Sequence, residues 1–298
     1  MNTESSSNER FAKIQALGND FIWMLEPVHD IETDPRRPWI TYLASERVGI
    51  GADGVILWLP QSKRSAELWF FNRDGSAASV CGNGLRAVSE AGCELGYFMR
   101  DELSLSMWGR RYSVEFQRED HMWSVGLGGY DSSSERDDYQ RIQGYLDEEG
   151  LRGSLVYMPN PHVIIVEHTP ISQEKRETIA TEINECIPGG TNVGFFTFQE
   201  PNSGFLAVWE RGVGWTPACG SGAAAVLRTC MAFGLADTRL EVNQPGGSLR
   251  VEHHSDGLIW ITGSAGLVYT GMIRLHYEDD PPEDTRRLDT RRDTSLCV

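Results

Sequence analysis

A chain of 298 residues, 40% hydrophobic and 23% charged, has the material for about two domains with cores of their own. Its 27 basic and 43 acidic side chains leave a formal charge of -16, which excludes electrostatic attraction to a nucleic-acid backbone or an anionic membrane. No apolar run approaches the roughly 18 residues of a membrane span, and the first ten residues lack the basic start and apolar centre of a signal sequence, so a cytoplasmic location is expected.

Residues 1–10 and 278–298 are charged or Ser-rich without apolar periodicity and are expected to be disordered tails. Between them the elements are short. Phe11 to Leu17 reads as a strand entering the Gly18-Asn19-Asp20 turn, and Phe21 to Leu25 as the strand leaving it. Trp39 to Glu46 reads as a helix ended by Gly49, and segments 55–59, 67–71, 103–107 and 112–116 have strand length and pattern. A polar stretch over 128–150 is expected to cross between halves. The order then repeats: a strand at 163–166, a helix from Ser172 to Cys186, strands at 193–198 and 204–209, and four more near 239–242, 248–252, 258–262 and 267–276. Short strands around one principal helix per half predict an α+β fold in which a curled, mixed sheet wraps a central helix. The expected division is 11–127, with the return of 266–277, and 128–265.

Two stretches carry the same design. Each holds a cysteine, Cys81 or Cys219, followed by Gly-x-Gly and an Ala-containing segment that reads as a helix bounded by Gly96 or Gly234, both 15 residues past their Cys. The two cysteines are 138 residues apart, Asn19 precedes Cys81 by 62, and Asn160 precedes Cys219 by 59. Two copies of one unit facing each other would leave a cleft between them. The remaining cysteines show no zinc spacing; Cys93, Cys186 and Cys230 are expected to be small buried side chains, and Cys297 lies in the tail.

Several other motifs carry less. Gly49-Ile-Gly51-Ala-Asp-Gly54 matches G-x-G-x-x-G but runs from helix to strand, the reverse of a dinucleotide cradle, and reads as a tight turn near the cleft. The three lysines, Lys13, Lys63 and Lys175, sit in settings unsuited to a Schiff base, so no pyridoxal cofactor is expected. His253-His254 reads as an exposed turn, not a metal site.

A thiol at a helix N-terminus meets the positive end of the macrodipole and unpaired N-H groups, which favour thiolate and also bind a carboxylate. Two acid/base groups on opposite sides of one carbon suit stereoinversion: one removes a proton, the other returns one to the opposite face.

The set Lys13 to Phe21, Gly49 to Gly54, Phe71 to Ser76, Cys81-Gly-Asn-Gly84, Asn160-Pro-His162, Thr191 to Phe195, Glu210-Arg-Gly212 and Ala218 to Gly222 resembles the diaminopimelate epimerase family, in the family's order, over about residues 11–277. The resemblance implies a cofactor-independent isomerase with two pseudo-symmetric domains. The expected substrate is a small amino acid in the cleft between them, LL-diaminopimelate converted to the meso form for lysine and cell-wall precursor synthesis, with self-association into a homodimer left open. It implies Cys81 and Cys219 as the two acid/bases, with His162 assisting Cys81 and Glu210 assisting Cys219. The backbone at Gly82, Asn83, Gly220 and Ser221 would hold the α-carboxylate, Asn19 and Asn160 would line the site, and Asn72, Asn192 and Arg211 would hold the far end.

Read from the residues alone, Asn19 could be a turn residue, His162 a packing residue, and Glu210 and Arg211 a surface pair. The chain departs from the family pattern at Gln15, Ala16, Pro159 and Trp215, and a Trp beside the second Cys loop is expected to remodel the ligand pocket. A racemase of another amino acid, and a ligand-binding or thiol-redox protein on the same scaffold, are the alternatives.

Overall fold

The computed structural model describes residues 6–78, 81–128, 136–158 and 160–276; Pro159, Cys297 and the 278–298 tail lie outside the described residues. The first half contains strands β1 (Ser6–Ala16) and β2 (Asn19–Met24), a 3-10 turn (Arg37–Trp39) running into the short helix α1 (Ile40–Ala44), strands β3 (Gly54–Ser62) and β4 (Ser65–Asn72), helix α2 (Gly82–Glu94), and strands β5 (Leu103–Met107), β6 (Arg110–Gln117) and β7 (Met122–Leu127). The second contains helix α3 (Arg136–Glu148), strands β8 (Gly153–Tyr157) and β9 (Pro161–Glu167), helix α4 (Gln173–Cys186), strands β10 (Asn192–Glu200), β11 (Ser203–Glu210) and β12 (Gly214–Thr216), helix α5 (Gly220–Ala232), and strands β13 (Arg239–Gln244), β14 (Gly247–His253) and β15 (Ile259–Gly263). Strand β16 (Gly266–His276) then returns to the first half and pairs with β1.

The strands form one continuous sheet, and its two halves are built by the same ladder. From β1 to β7 the pairings run antiparallel, parallel, antiparallel, parallel, antiparallel, antiparallel. From β8 to β15 along the sheet the sequence is identical, with β12 as a side branch on β11. The two parallel pairings in each half require crossovers, and these are the helices: α1 and α2 in the first half, α4 and α5 in the second. Strands β7 and β15 join the halves antiparallel, with Ser124 opposite Thr262 and their hydroxyls 2.6 Å apart. Those two residues are also 138 apart, so the pseudo-two-fold relation between the thiols passes through this pair.

Helices α2 and α5 are the cores of the halves. The residues of α2 from Gly82 to Ser89 and those of α5 from Gly220 to Leu227 are buried. One apolar cluster spans both helices and both halves of the sheet, while α1, and α3 with α4, cover smaller clusters on the outer side. Helix ends obey local chemistry: Ser172 caps α4 by accepting from Lys175 N, and Gly96 and Gly234 take positive φ just past α2 and α5.

Three sequence expectations change here. Residues 6–10 are not tail: they form the first half of β1, with Ser6 opposite His276 and Arg10 opposite Met272. Their apolar pattern is hidden because Glu9 is buried and its carboxylate lies 3.7 Å from the Arg36 guanidinium, so a polar side chain occupies an inward position. The polar crossing at 128–150 contains α3, which among its described residues buries Ile142 and Leu146 and packs Tyr145 beside them. Cys230 is buried as expected, but Cys93 and Cys186 are only half-buried at helix surfaces.

Candidate active site

Cys81 and Cys219 are the N-cap residues of α2 and α5, and their sulfurs do the capping. Cys81 Sγ accepts from Gly84 N at 3.3 Å, and Cys219 Sγ accepts from Gly222 N at the same distance. Glycine after each Cys leaves room for one shared side chain. A Cβ at Gly82 would come within 2.6 Å of Ile261 Cδ1, and one at Gly220 within 2.9 Å of the same atom. Both helix starts rest on one side chain of β15.

On the first side, Asn19 Oδ1 lies 3.9 Å from Cys81 Sγ. Its amide orientation is fixed by Asp53, whose carboxylate accepts from Asn19 Nδ2 at 2.9 Å and from Asp20 N at 3.2 Å. The G-x-G-x-x-G stretch therefore supplies the turn that carries Asp53. Lys13 is ion-paired with Asp20 at 2.6 Å beneath it. Asn83 crosses to the other half, its Nδ2 3.4 Å from Ala218 O, next to Cys219, and 3.5 Å from Asn19 Oδ1.

On the second side, Cys219 is 6% exposed, and its backbone N donates to Gln244 Oε1 at 2.7 Å. Ser221 Oγ is 3.5 Å from Cys219 Sγ and 3.0 Å from His162 Nε2. His162 Nε2 also lies 3.1 Å from Asn160 Oδ1, an atom that only accepts; no hydrogen-bond partner meets Nδ1 among the described residues. Asn192 sits behind, its Nδ2 3.5 Å from His162 Nε2 and its Oδ1 accepting from Arg211 N at 2.9 Å.

The expected pairing of His162 with Cys81 is therefore not the one formed. The imidazole is fully buried in the Cys219 half, and Ser221 is the link between it and that thiol. Glu210, at the end of β11, accepts from Thr216 Oγ1 at 2.7 Å, and its charge acts on both thiols. It does not pair with Arg211, whose Nη1 turns to Gly189 O at 2.7 Å. Asn72, exposed at the end of β4, turns its amide to Ser76 Oγ at 2.9 Å.

Burial at the site favours neutral forms. Burial pushes the Cys81 thiol up to about 12, with the Gly84 N-H opposing and the Glu210 charge adding to the rise. The Cys219 thiol is raised further by burial and by Glu210, against Ser221 and Gly222. Burial likewise raises the Glu210 carboxyl, opposed by its bonds from Thr216 and Cys219. His162 is pushed down to about 3 by burial, so it is neutral at physiological pH.

Trp215 departs from expectation. Strand alternation puts Thr216 on the face of Glu210 and Trp215 on the other, where its ring packs against Trp209 and Phe195 and its Nε1 donates to Glu177 Oε1 at 2.7 Å. It fills the outer cluster under α4, not the space beside the thiols. Gln15 closes the turn before Asn19, its Oε1 accepting from Gly18 N at 3.2 Å, and Ala16 is buried beside it. Asp53, Thr216, Gln244 and Ile261 support the site without having been singled out from sequence. Asp53 lay inside a motif that was noticed; the others had no local signal.

The family model for diaminopimelate epimerase matches residues 11–131 and 154–268. The diaminopimelate epimerase of Alkalilimnicola ehrlichii is 32% identical over 288 residues, covering 89% of this chain and 99% of the relative. That of Prochlorococcus marinus is 31% identical, covering 89% and 92%. Among solved structures, a hydroxyproline epimerase from Agrobacterium vitis, crystallised with trans-4-hydroxy-L-proline, superposes with a TM-score of 0.67 over 96% of both chains at 17% identity, a likeness of fold.

Proposed function

The chain belongs to the diaminopimelate epimerase family of isomerases, and from that premise we propose that it inverts one α-carbon of diaminopimelate, LL to meso and back, with Cys81 and Cys219 as the two acid/bases. The observation that carries this reading is the pair of helix-capping sulfurs at equivalent places in the two halves, joined from one half to the other by Asn83.

One sulfur takes the α-proton as thiolate while the other, as thiol, delivers a proton to the opposite face, so the substrate leaves with one proton exchanged and its configuration inverted. The first N-H groups of a helix have no partner within it; those of Gly82, Asn83, Gly220 and Ser221 converge as donors for the α-carboxylate and stabilise charge that develops as the α-proton departs. Since burial holds both thiols protonated, ionisation has to come with the ligand: an α-ammonium group entering between them favours a thiolate, and Glu210, in hydrogen-bonding reach of Cys219, is the base that receives the thiol proton. His162, neutral, orients the Ser221 hydroxyl toward Cys219. To Asn72, Asn192 and Arg211 we assign the distal amino-acid group, Arg211 offering its carboxylate a planar fork, and to Asn19 and Asn160 the reacting end.

Among the described residues no helix is long and apolar enough to cross a membrane; we place the reaction in the cytoplasm, upstream of lysine and cell-wall precursors. The test is incubation with LL-diaminopimelate in deuterated water. Deuterium should enter one α-carbon, and both Cys81→Ala and Cys219→Ala should abolish it; turnover at the parent rate in either variant rejects the two-thiol reading. A panel of other L-amino acids run alongside should show no exchange, and exchange confined to one of those would make the chain a racemase of that amino acid.

A further inference from the structure

Arg86, one and a half turns into α2, is fully buried, and neither its Nε nor its Nη1 has a hydrogen-bond partner among the described residues. A guanidinium does not give up its proton in a protein, so this is a fixed cation in the core, and among the described residues no carboxylate pairs with it. Helix α2 packs on β1, β2, β6, β7, β16 and α5, and several of the charged groups there are engaged elsewhere. Lys13 of β1 and Asp20 of β2 pair with each other, Glu115 of β6 faces Glu102, His254 and Asp256, and Glu90 of α2 itself takes Arg100. The ionisable group that couples to Arg86 is Cys81. Facing Cys81 in turn are Glu210, Arg86 and Asp53.

The third nitrogen of Arg86 controls an orientation. Its Nη2 donates to Asn83 Oδ1 at 2.8 Å. Because a guanidinium only donates, Asn83 must present its oxygen there and point Nδ2 outward, to Ala218 O and Asn19 Oδ1. At the far end Asp53, which only accepts, holds Asn19 Nδ2. The chain Arg86, Asn83, Asn19, Asp53 thus has one polarity, enforced by a cation at one end and an anion at the other, and Cys81 sits beside its middle with Asn19 Oδ1 turned to its sulfur.

We propose that Arg86 is a positioning residue for the first thiol: it locks the Asn83 amide, and Asn19 through it, and supplies the fixed positive charge against which Cys81 ionises. This rests on the reading of Cys81 as an acid/base, and the test separates the two. Alkylation of each cysteine by iodoacetamide, followed across pH by peptide mass spectrometry on the full chain without substrate, reads ionisation with no turnover. In Arg86→Gln the Cys81 rate at a fixed pH below its midpoint should fall about ten-fold, a shift of one pH unit, with the Cys219 profile unmoved. Arg86→Lys keeps a charge but gives up the planar donor: it should return the Cys81 profile toward the parent's while kcat for α-proton exchange stays about ten-fold down at unchanged KM, from the lost alignment.

A folded Arg86→Gln chain with an unmoved Cys81 profile, or with both cysteines shifted alike, overturns the inference. If Arg86→Gln does not fold, Arg86→Lys decides, since parental kcat there removes the alignment role. A shifted Cys81 profile in Arg86→Gln, together with intact exchange in Cys81→Ala, would keep this inference and discard the two-thiol mechanism.

Discussion

Cys81 and Cys219 cap helices of 13 residues each, accept from a Gly N-H at the same distance, rest on the same isoleucine and feel the same Glu210, yet the hydrogen-bonding groups around them differ. Where β2 places Phe21 opposite Gly54, β9 places His162 opposite Asn192. Two residues past the thiol stands Asn83 in one half and Ser221 in the other; five past it stands Arg86 in one and Ala224 in the other. Beside the Glu210 charge that it shares with the second, the first thiol has Arg86 and Asp53, fixed charges acting through amides. The second has a neutral imidazole, a hydroxyl and a carboxyl whose proton can move. Duplication conserved the address of each sulfur, and the side chains around it diverged to give two different proton environments at one backbone geometry.

The largest effects should come from removing either sulfur. Cys81→Ala and Cys219→Ala are each expected to lower α-proton exchange by about 10³-fold or more, read by mass spectrometry in deuterated water, and a large loss in only one of them would break the symmetry of roles. Glu210→Gln keeps shape and the Thr216 bond but removes the base beside Cys219. It should cost about 10²-fold in kcat, and equal loss in the two reaction directions would argue against a tie to one thiol.

Asp53→Ala frees the Asn19 amide on the first side. About ten-fold in kcat should be lost, and thermal unfolding should show a stability change of about 1 kcal/mol, the ordinary worth of a hydrogen bond.

His162 gives a pH test of the second side. Its folded pKa of about 3 lies below the 6.5 of the free side chain, so below 6.5 the unfolded chain binds a proton that the folded chain refuses. Stability is therefore lost as pH falls from 6.5 toward 3, with a slope of up to about 1.4 kcal/mol per pH unit. His162→Phe, the residue at the equivalent place in the first half, should flatten that slope in urea titrations; an unchanged slope would mean the imidazole is not buried neutral. The smallest functional effect belongs to Trp215→Leu. Loss of its packing should destabilise by about 2 kcal/mol while the amino acid accepted stays the same, as measured by unfolding and by the exchange panel.

Much of this was legible in the chain because the duplication is written in short motifs. Cys-Gly-x-Gly followed by Ala marks a capped helix twice, and Asn19 and Asn160 keep nearly the same distance from their thiols. What escaped was of two kinds. Residues such as Gln244 and Ile261 reach the site from strands distant in sequence, where nothing local marks them. His162 and Trp215 were noticed, but their orientation depends on which face of β9 or β12 they occupy, and strands of seven and three residues leave that to tertiary packing. Helix α3 was hidden because it offers the core few apolar side chains.

Ile261 has a consequence of its own. Its Cδ1 lies against the starts of both α2 and α5, so a single methyl group is the contact that the two helix starts have in common. Both arms thus bear on one common component, like the pivot of a pair of calipers. Trimming it to valine would loosen both jaws together, whereas no change confined to either cysteine loop could do so.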